Sequence, residues 1–161
     1  MDHVQHVVDQ WATERPELDA TPILVIGRIH RLAIALDVEL LRVYSAHGLG
    51  DGDFDVLATL RRSGAPYELT PTELVEQTMV TSGAVSKRVD RLEGAGLVER
   101  RVAEGDRRSR IVRLTRAGRT LIDRAVPEHL ANEARLLAPL TAAERDTLAG
   151  LLGKLAVSLG L

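Results

Sequence analysis

The stretch from Thr70 to Leu114 constrains this chain most, because its order of elements suits few architectures. Thr70-Pro71-Thr72-Glu73 is a capping box with proline at the first helical position, so a helix begins there. It is short, reaching about Gln77, and Thr78-Met79-Val80 makes a tight connection. Thr81 or Ser82 caps a second helix that runs to about Gly94. Two short strands follow, Leu97 to Val102 and Arg110 to Leu114. The polar segment between them, Ala103 to Ser109, contains Gly105 and reads as a hairpin loop. Short helix, tight turn, longer helix and hairpin is the order of a helix-turn-helix followed by a two-stranded wing, a unit that puts its second helix in the major groove of DNA.

The flanks read as helices. Asp2 to about Thr13 is a short one with Trp11 near its end, broken by Arg15-Pro16-Glu17. A long helix starts near Pro22, carries Ile26, Ile29, Ala33, Leu36, Leu40 and Val43 as one apolar stripe, and ends at His47-Gly48. Asp51 can cap the next helix, which turns Phe54, Leu57 and Leu60 inward and stops at Gly64-Ala65-Pro66. After the hairpin, Thr115 caps a helix that Pro127 is expected to kink or interrupt. Thr141 and Glu144 form a second capping box, opening a helix with Leu148, Leu151, Leu152 and Leu155 on one face. The expectation is one domain over 1–161. Within it, 1–50 are N-terminal helices for dimerisation and a pocket, 51–114 the winged unit, and 115–161 C-terminal dimerisation helices.

Composition narrows the function. Aromatic residues are only 2 %, so the core is built from Leu, Val, Ile and Ala, which favours packed helices. There is no cysteine, which removes disulfides, thiol redox sensing and cysteine-held zinc. No apolar run is long enough to span a membrane and Met1-Asp2-His3-Val4 lacks the start of a signal peptide, so a cytoplasmic location is expected. The net charge of -2 hides an uneven distribution: Thr81 to Arg116 holds ten basic and five acidic residues. A basic stripe on an acidic body is an electrostatic footprint for phosphate, and also the signature of an arginine-rich solvated surface.

The second helix can be read by angle, at about 100° per residue. Val85, Val89 and Leu92 share its buried side. Lys87 points nearly opposite, flanked by Asp90 and Arg91, and Ser82 and Ser86 lie along a shoulder. Lys87 and Arg91 are therefore candidates for base or phosphate contact, and the serines for phosphate hydrogen bonds. In the hairpin, Asp106-Arg107-Arg108 puts arginine on a narrow wing suited to a minor groove, with the aspartate as a support for the guanidinium or as half of a local salt bridge. Arg88 lies at the edge of the buried face, where a guanidinium needs a partner: Asp55, a bound anion, or both.

The stretch from Phe54 to Gly118 resembles the MarR family of bacterial regulators. The resemblance rests on Leu69 to Leu74, Ser82 to Glu93, Gly96 to Arg100, Asp106 to Arg108 and Leu114 to Gly118. It implies a mainly α fold with a small β-hairpin wing, a winged helix-turn-helix in a triangular MarR-type homodimer whose first and last helices interlock. It also implies a double-stranded, pseudo-palindromic DNA operator, with Arg108 as the minor-groove arginine and Asp106 its support. On this reading the DNA-contacting set is Thr81, Ser82, Ser86, Lys87, Arg91, Asp106, Arg107 and Arg108. A narrower resemblance, to the urate- and purine-responsive subgroup, implies a ligand site of Trp11, Asp55, Arg88 and Arg100.

The physical reading agrees with such a ligand, since a planar anion pairs with guanidinium and stacks on indole. It agrees equally with Asp55–Arg88 as a structural ion pair, Trp11 as a packing anchor and Arg100 as a strand-surface residue. The expected protein is a repressor released from DNA by a small anionic aromatic effector, a purine or a phenolic acid. The alternative of another class is a winged-helix protein-interaction module without a DNA role. No nucleophile elbow, phosphate loop or metal-binding helix motif is present, so neither an enzyme nor a metal or other cofactor is expected.

Overall fold

The computed structural model describes residues 2–50, 52–78, 82–103 and 106–160, and of residues 82–84, 103 and 106–109 it describes the backbone alone. The helices are α1 (His3–Glu14), α2 (Ile23–Ala46), α3 (Asp53–Arg62), α4 (Pro71–Gln77), α5 (Ser82–Gly94), α6 (Arg116–Leu136) and α7 (Ala142–Ser158). The strands are β1 (Glu68–Leu69), β2 (Val98–Ala103) and β3 (Asp106–Leu114). The chain divides into two compact units, residues 1–42 and 43–161.

In the first unit Asp2 caps α1 by accepting a hydrogen bond from the Val4 amide at 3.0 Å and also pairs with Arg28 of α2. Val4 and Val8 are its buried side chains on α1. Gly27 admits Val4 closely, since a Cβ there would lie 3.2 Å from Val4 Cγ1.

The core of the second unit draws Leu57 from α3, Leu74 from α4, Leu92 from α5, Val98 and Val112 from the sheet and Ile122 from α6, each at most 2 % exposed. Phe54, Leu57 and Leu60 point inward as the periodicity requires. The sheet is antiparallel with order β1-β3-β2. Its third strand, β1, is not foreseen by the sequence, because two residues carry no alternation to read. It pairs Glu68 with Arg113 and Leu69 with Val112.

The wing is also longer than its hydrophobic pattern indicates. Residues Ala103 and Asp106 to Ser109, expected in the loop, belong to the strands, with Ala103 opposite Asp106 and a bulge between Val102 and Ala103. Ladder hydrogen bonds join backbone groups, so a polar hairpin extends without apolar alternation. Two further expectations are corrected. Of the two effects expected of Pro127, interruption does not occur, since one missing N–H among 21 residues leaves the rest of the ladder of α6 intact. α3 takes Gly52 as its N-cap, at φ 73° and without a side-chain cap. Asp51, expected in that role, lies outside the described residues, as do Met79, Val80 and Thr81.

The join between wing and α6 is built on Leu114-Thr-Arg-Ala-Gly118. Thr115 accepts from the Gly118 amide at 3.0 Å and donates to the Gly96 carbonyl at 2.7 Å, while its own amide donates to the Leu97 carbonyl at 3.1 Å. Gly118 packs directly on Leu97: a Cβ there would sit well inside van der Waals contact with that carbonyl oxygen. Both capping boxes form. Thr70 and Glu73 exchange hydrogen bonds at the start of α4, and Thr141 and Glu144 do so at α7. Neither α2 nor α7 buries any residue. Ile26 and Leu36 of the expected α2 stripe are 58 % and 40 % exposed, and Leu148, Leu151 and Leu152 of α7 are 41 %, 62 % and 42 % exposed.

Gly118→Ala must displace backbone rather than a flexible side-chain end, so it is expected to cost about 1–3 kcal/mol in urea unfolding. Gly94→Ala, where the added carbon meets open space, should be neutral or stabilising by up to about 1 kcal/mol.

Candidate nucleic-acid interface and ligand site

The α4–α5 unit is held from inside. Leu74 is fully buried beneath α4, and Val85, Val89 and Leu92 of α5 are 2–3 % exposed. Burying that stripe fixes which residues of α5 face solvent. Ser86, Lys87, Asp90 and Arg91 are exposed, and Arg88 is half-buried at the edge. Lys87 has no ion pair among the described residues. The predicted DNA-contacting residue Thr81 lies outside the described residues. The side chains of Ser82, Asp106, Arg107 and Arg108 do also, although their backbones are placed at the start of α5 and in β3.

Arg91 is exposed, as the helical angle requires, but it is not a freely swinging cation. Its guanidinium clasps Asp53 Oδ1 through Nη2 at 2.5 Å and Nε at 3.1 Å. The Asp53 side chain is 4 % exposed, and its other oxygen accepts the Gly50 amide at 2.8 Å. A carboxylate this buried is stable only when its oxygens are hydrogen-bonded. One side chain thus ties the loop before α3, the first turn of α3 and the outer face of α5 together. Sequence reasoning missed this residue. Its only local signal is the acidic run ahead of Phe54, and the partner is 38 positions away.

Arg88 reaches the same turn from the other side. A Cβ at Gly52 would coincide with the Arg88 guanidinium, so the guanidinium occupies the space that only glycine leaves open at the head of α3. Asp55, three residues further on, is 9 % exposed, with Arg62 Nη1 at 3.9 Å from its Oδ1. The sequence placed Arg88 inward and Arg91 outward; in the structure Arg88 ends at Gly52 and Arg91 at Asp53.

Arg100 has different neighbours. Its Nη2 meets Asp90 Oδ1 and its Nη1 meets Glu93 Oε2, each at 2.5 Å, and its amide donates to Glu93 Oε1 at 3.0 Å. Partial burial works against its charge, and the hydrogen bonds to Asp90 and Glu93 outweigh that, raising its pKa. Arg100 also lines a cavity of about 350 Å³ with Ser86, Val89 and Arg110, so two residues predicted for different roles share one wall. Trp11, the fourth predicted ligand residue, is on α1 in the 1–42 unit and is 44 % exposed. Among the described residues no group of three or more His, Asp or Glu is arranged to hold a metal, and no helix is long and apolar enough to cross a membrane.

Asp53→Ala leaves a buried Gly50 amide unmatched and is expected to lower stability by about 1–3 kcal/mol in chemical denaturation. Arg91→Ala, whose guanidinium is half in water, should cost less than half as much. Equal losses would refute the asymmetry.

Comparison with known proteins gives this geometry a lineage. The model of the MarR family matches residues 47–109. The chain is 44 % identical over 151 residues to the HTH-type transcriptional regulator PecS of Dickeya dadantii, covering 94 % of this chain and 91 % of that protein. Among solved structures, Sco3205 of Streptomyces coelicolor, a MarR family transcriptional regulator in complex with DNA, is 26 % identical. It superposes with a TM-score of 0.79 over 88 % of this chain and 89 % of its own. BpsR of Bordetella bronchiseptica, whose DNA binding is regulated by 6-hydroxynicotinic acid, is 25 % identical. It superposes with a TM-score of 0.74 over 82 % of this chain and 92 % of its own. The relatives are regulators rather than enzymes, and the chain belongs to the MarR family of transcription regulators.

Proposed function

We propose that this DNA-binding regulator is a homodimeric repressor that reads a pseudo-palindromic operator and is released from it by a small, planar, aromatic anion. The observation that carries the proposal is the α5 surface: an apolar stripe buried at 2–3 % exposure on one side, with Ser86, Lys87 and Arg91 exposed on the other. Lys87 and Arg91 meet DNA edges or phosphates. Thr81, Ser82 and Ser86 donate to phosphate. Arg108, supported by Asp106 and flanked by Arg107, enters the minor groove from the wing. The exposed apolar faces of α2 and α7 supply the surface for a second copy, and two copies set half-sites about 34–36 Å apart.

The effector site is Trp11, Asp55, Arg88 and Arg100. What supports it is the place of Arg88, whose guanidinium rests on Gly52 at the head of α3 while its backbone belongs to α5. An anion that draws this guanidinium away pulls on the reading helix and shifts the dimer population away from the DNA-competent spacing. Urate or a related purine is the favoured ligand, by the resemblance of these four positions. A phenolic acid is the second reading, and the regulation of BpsR by another small hydroxylated aromatic acid, 6-hydroxynicotinic acid, supports it.

Arg108→Ala should weaken operator binding and reduce the steepness of log affinity against log salt by about one phosphate contact. An unchanged slope in a gel-shift series counts against the wing contact, and no operator binding at all favours a protein-interaction module. In a thermal-shift screen, urate and xanthine should stabilise the protein and release operator, both effects being lost in Arg88→Ala. Stabilisation by phenolic acids alone would transfer the site to the second reading.

A further inference from the structure

A second cleft lies away from all of these residues. It is an open cleft of about 780 Å³ between the end of α2, the α5–β2 connection and the first half of α6. That volume falls within the range of small-molecule sites, about 300–1,000 Å³. Leu97, Leu121, Ala46 and Ala117 make its apolar wall, and Arg116, Thr120 and Arg124 stand along one face of α6 at intervals of four.

The charge of this wall is uncompensated. α6 carries two acidic residues near these arginines, and each is engaged elsewhere. Asp123 binds Arg61 at 2.6 Å and Arg119 at 3.7 Å. Glu128, the i+4 neighbour that would ordinarily pair with Arg124, binds the 8 %-exposed His47 side chain at 2.9 Å. Among the described residues, Arg116 and Arg124 have no ion pair or side-chain hydrogen bond. Arg116 also occupies the first position of its helix, where the macrodipole disfavours a cation. The Thr120 hydroxyl donates back to the Arg116 carbonyl at 3.0 Å, so toward the cleft it is an acceptor. Two exposed guanidinium groups flank an apolar wall with no carboxylate of the described residues paired to them, an arrangement complementary to a ligand with an anionic group at each end.

Eight helical residues span about 12 Å. We infer that this cleft binds an elongated organic dianion, with a carboxylate at each end of an apolar body of about that length, gripped by Arg116 and Arg124. The site is separate from that of the aromatic effector: it shares no residue with Trp11, Asp55, Arg88 and Arg100.

The test is a length series of linear alkane dicarboxylates, from succinate to sebacate, with octanoate as the single-charge control. Binding to the full-length protein is read by thermal shift and titration calorimetry. Sebacate should bind more tightly than succinate or octanoate, and Arg116→Ala and Arg124→Ala should each weaken it about tenfold or more, the loss of one charge-assisted contact. The double variant should keep operator binding and the purine response, since both arginines lie outside the reading surface and the effector site. Failure of the purine reading leaves these outcomes standing. The inference is overturned if no dicarboxylate binds, if octanoate matches sebacate, or if the double variant binds sebacate as the parent does.

Discussion

The placement of α5 depends on a carboxylate that water hardly reaches. Asp53 lies at the first turn of α3, takes the Gly50 amide on one oxygen and holds Arg91 of α5 on the other. Hydrophobic burial of Val85, Val89 and Leu92 sets the rotation of α5, but apolar contacts are non-directional and tolerate sliding. A buried, two-sided carboxylate does not, because a shift breaks its directional hydrogen bonds to the Gly50 amide or to Arg91. The register of α5 against the rest of the unit is therefore a polar decision laid over an apolar one. Arg88 reinforces it from the neighbouring side by filling the space above Gly52. The proposed sensing arginine and the proposed reading helix thus rest on two adjacent residues, Gly52 and Asp53.

The wing has an equivalent anchor at its base. Thr115 closes the sheet onto α6 through Gly96, Leu97 and Gly118, and the glycine lets helix backbone and strand backbone touch. Beside it, the guanidinium groups of Arg61 and Arg119 lie 4.9 and 4.6 Å from the centre of the Tyr67 ring, and both arginines bind Asp123. These clamps leave α6 with one face packed and one face positively charged, and the charged face forms the second cleft. Exposed apolar side chains on α2 and α7 complete the picture. Within one chain none of their own described side chains is buried, which is the energetic reason for a partner.

Much of this was legible in the sequence. Capping boxes at Thr70 and Thr141, the Thr115 cap, the Gly48 stop and the buried stripes of α3 and α5 are local features that depend on residues a turn or two apart. Their signals survive in a linear reading. The resemblance to the MarR family, read from Ser82 to Glu93 and Asp106 to Arg108, agrees with the comparisons. The errors have equally physical causes. β1 is too short to carry a period, the polar wing hides strands made by backbone pairing, and a single proline does not stop a long helix.

The sequence by itself determined where helices start and stop, which faces are apolar, and that α5 turns one arginine inward and one outward. Only the tertiary structure decided where those arginines end. Partners 38 positions apart, Asp53 and Arg91, carry no mutual signal along the chain, and neither do His47 and Glu128. Ion pairs form by proximity after the apolar core has closed, and their geometry is set by that closure. For the same reason the sequence showed a basic stripe without showing its division: Arg91 and Arg100 neutralised by carboxylates, Lys87 left exposed, and Arg116 and Arg124 left facing a cleft of their own.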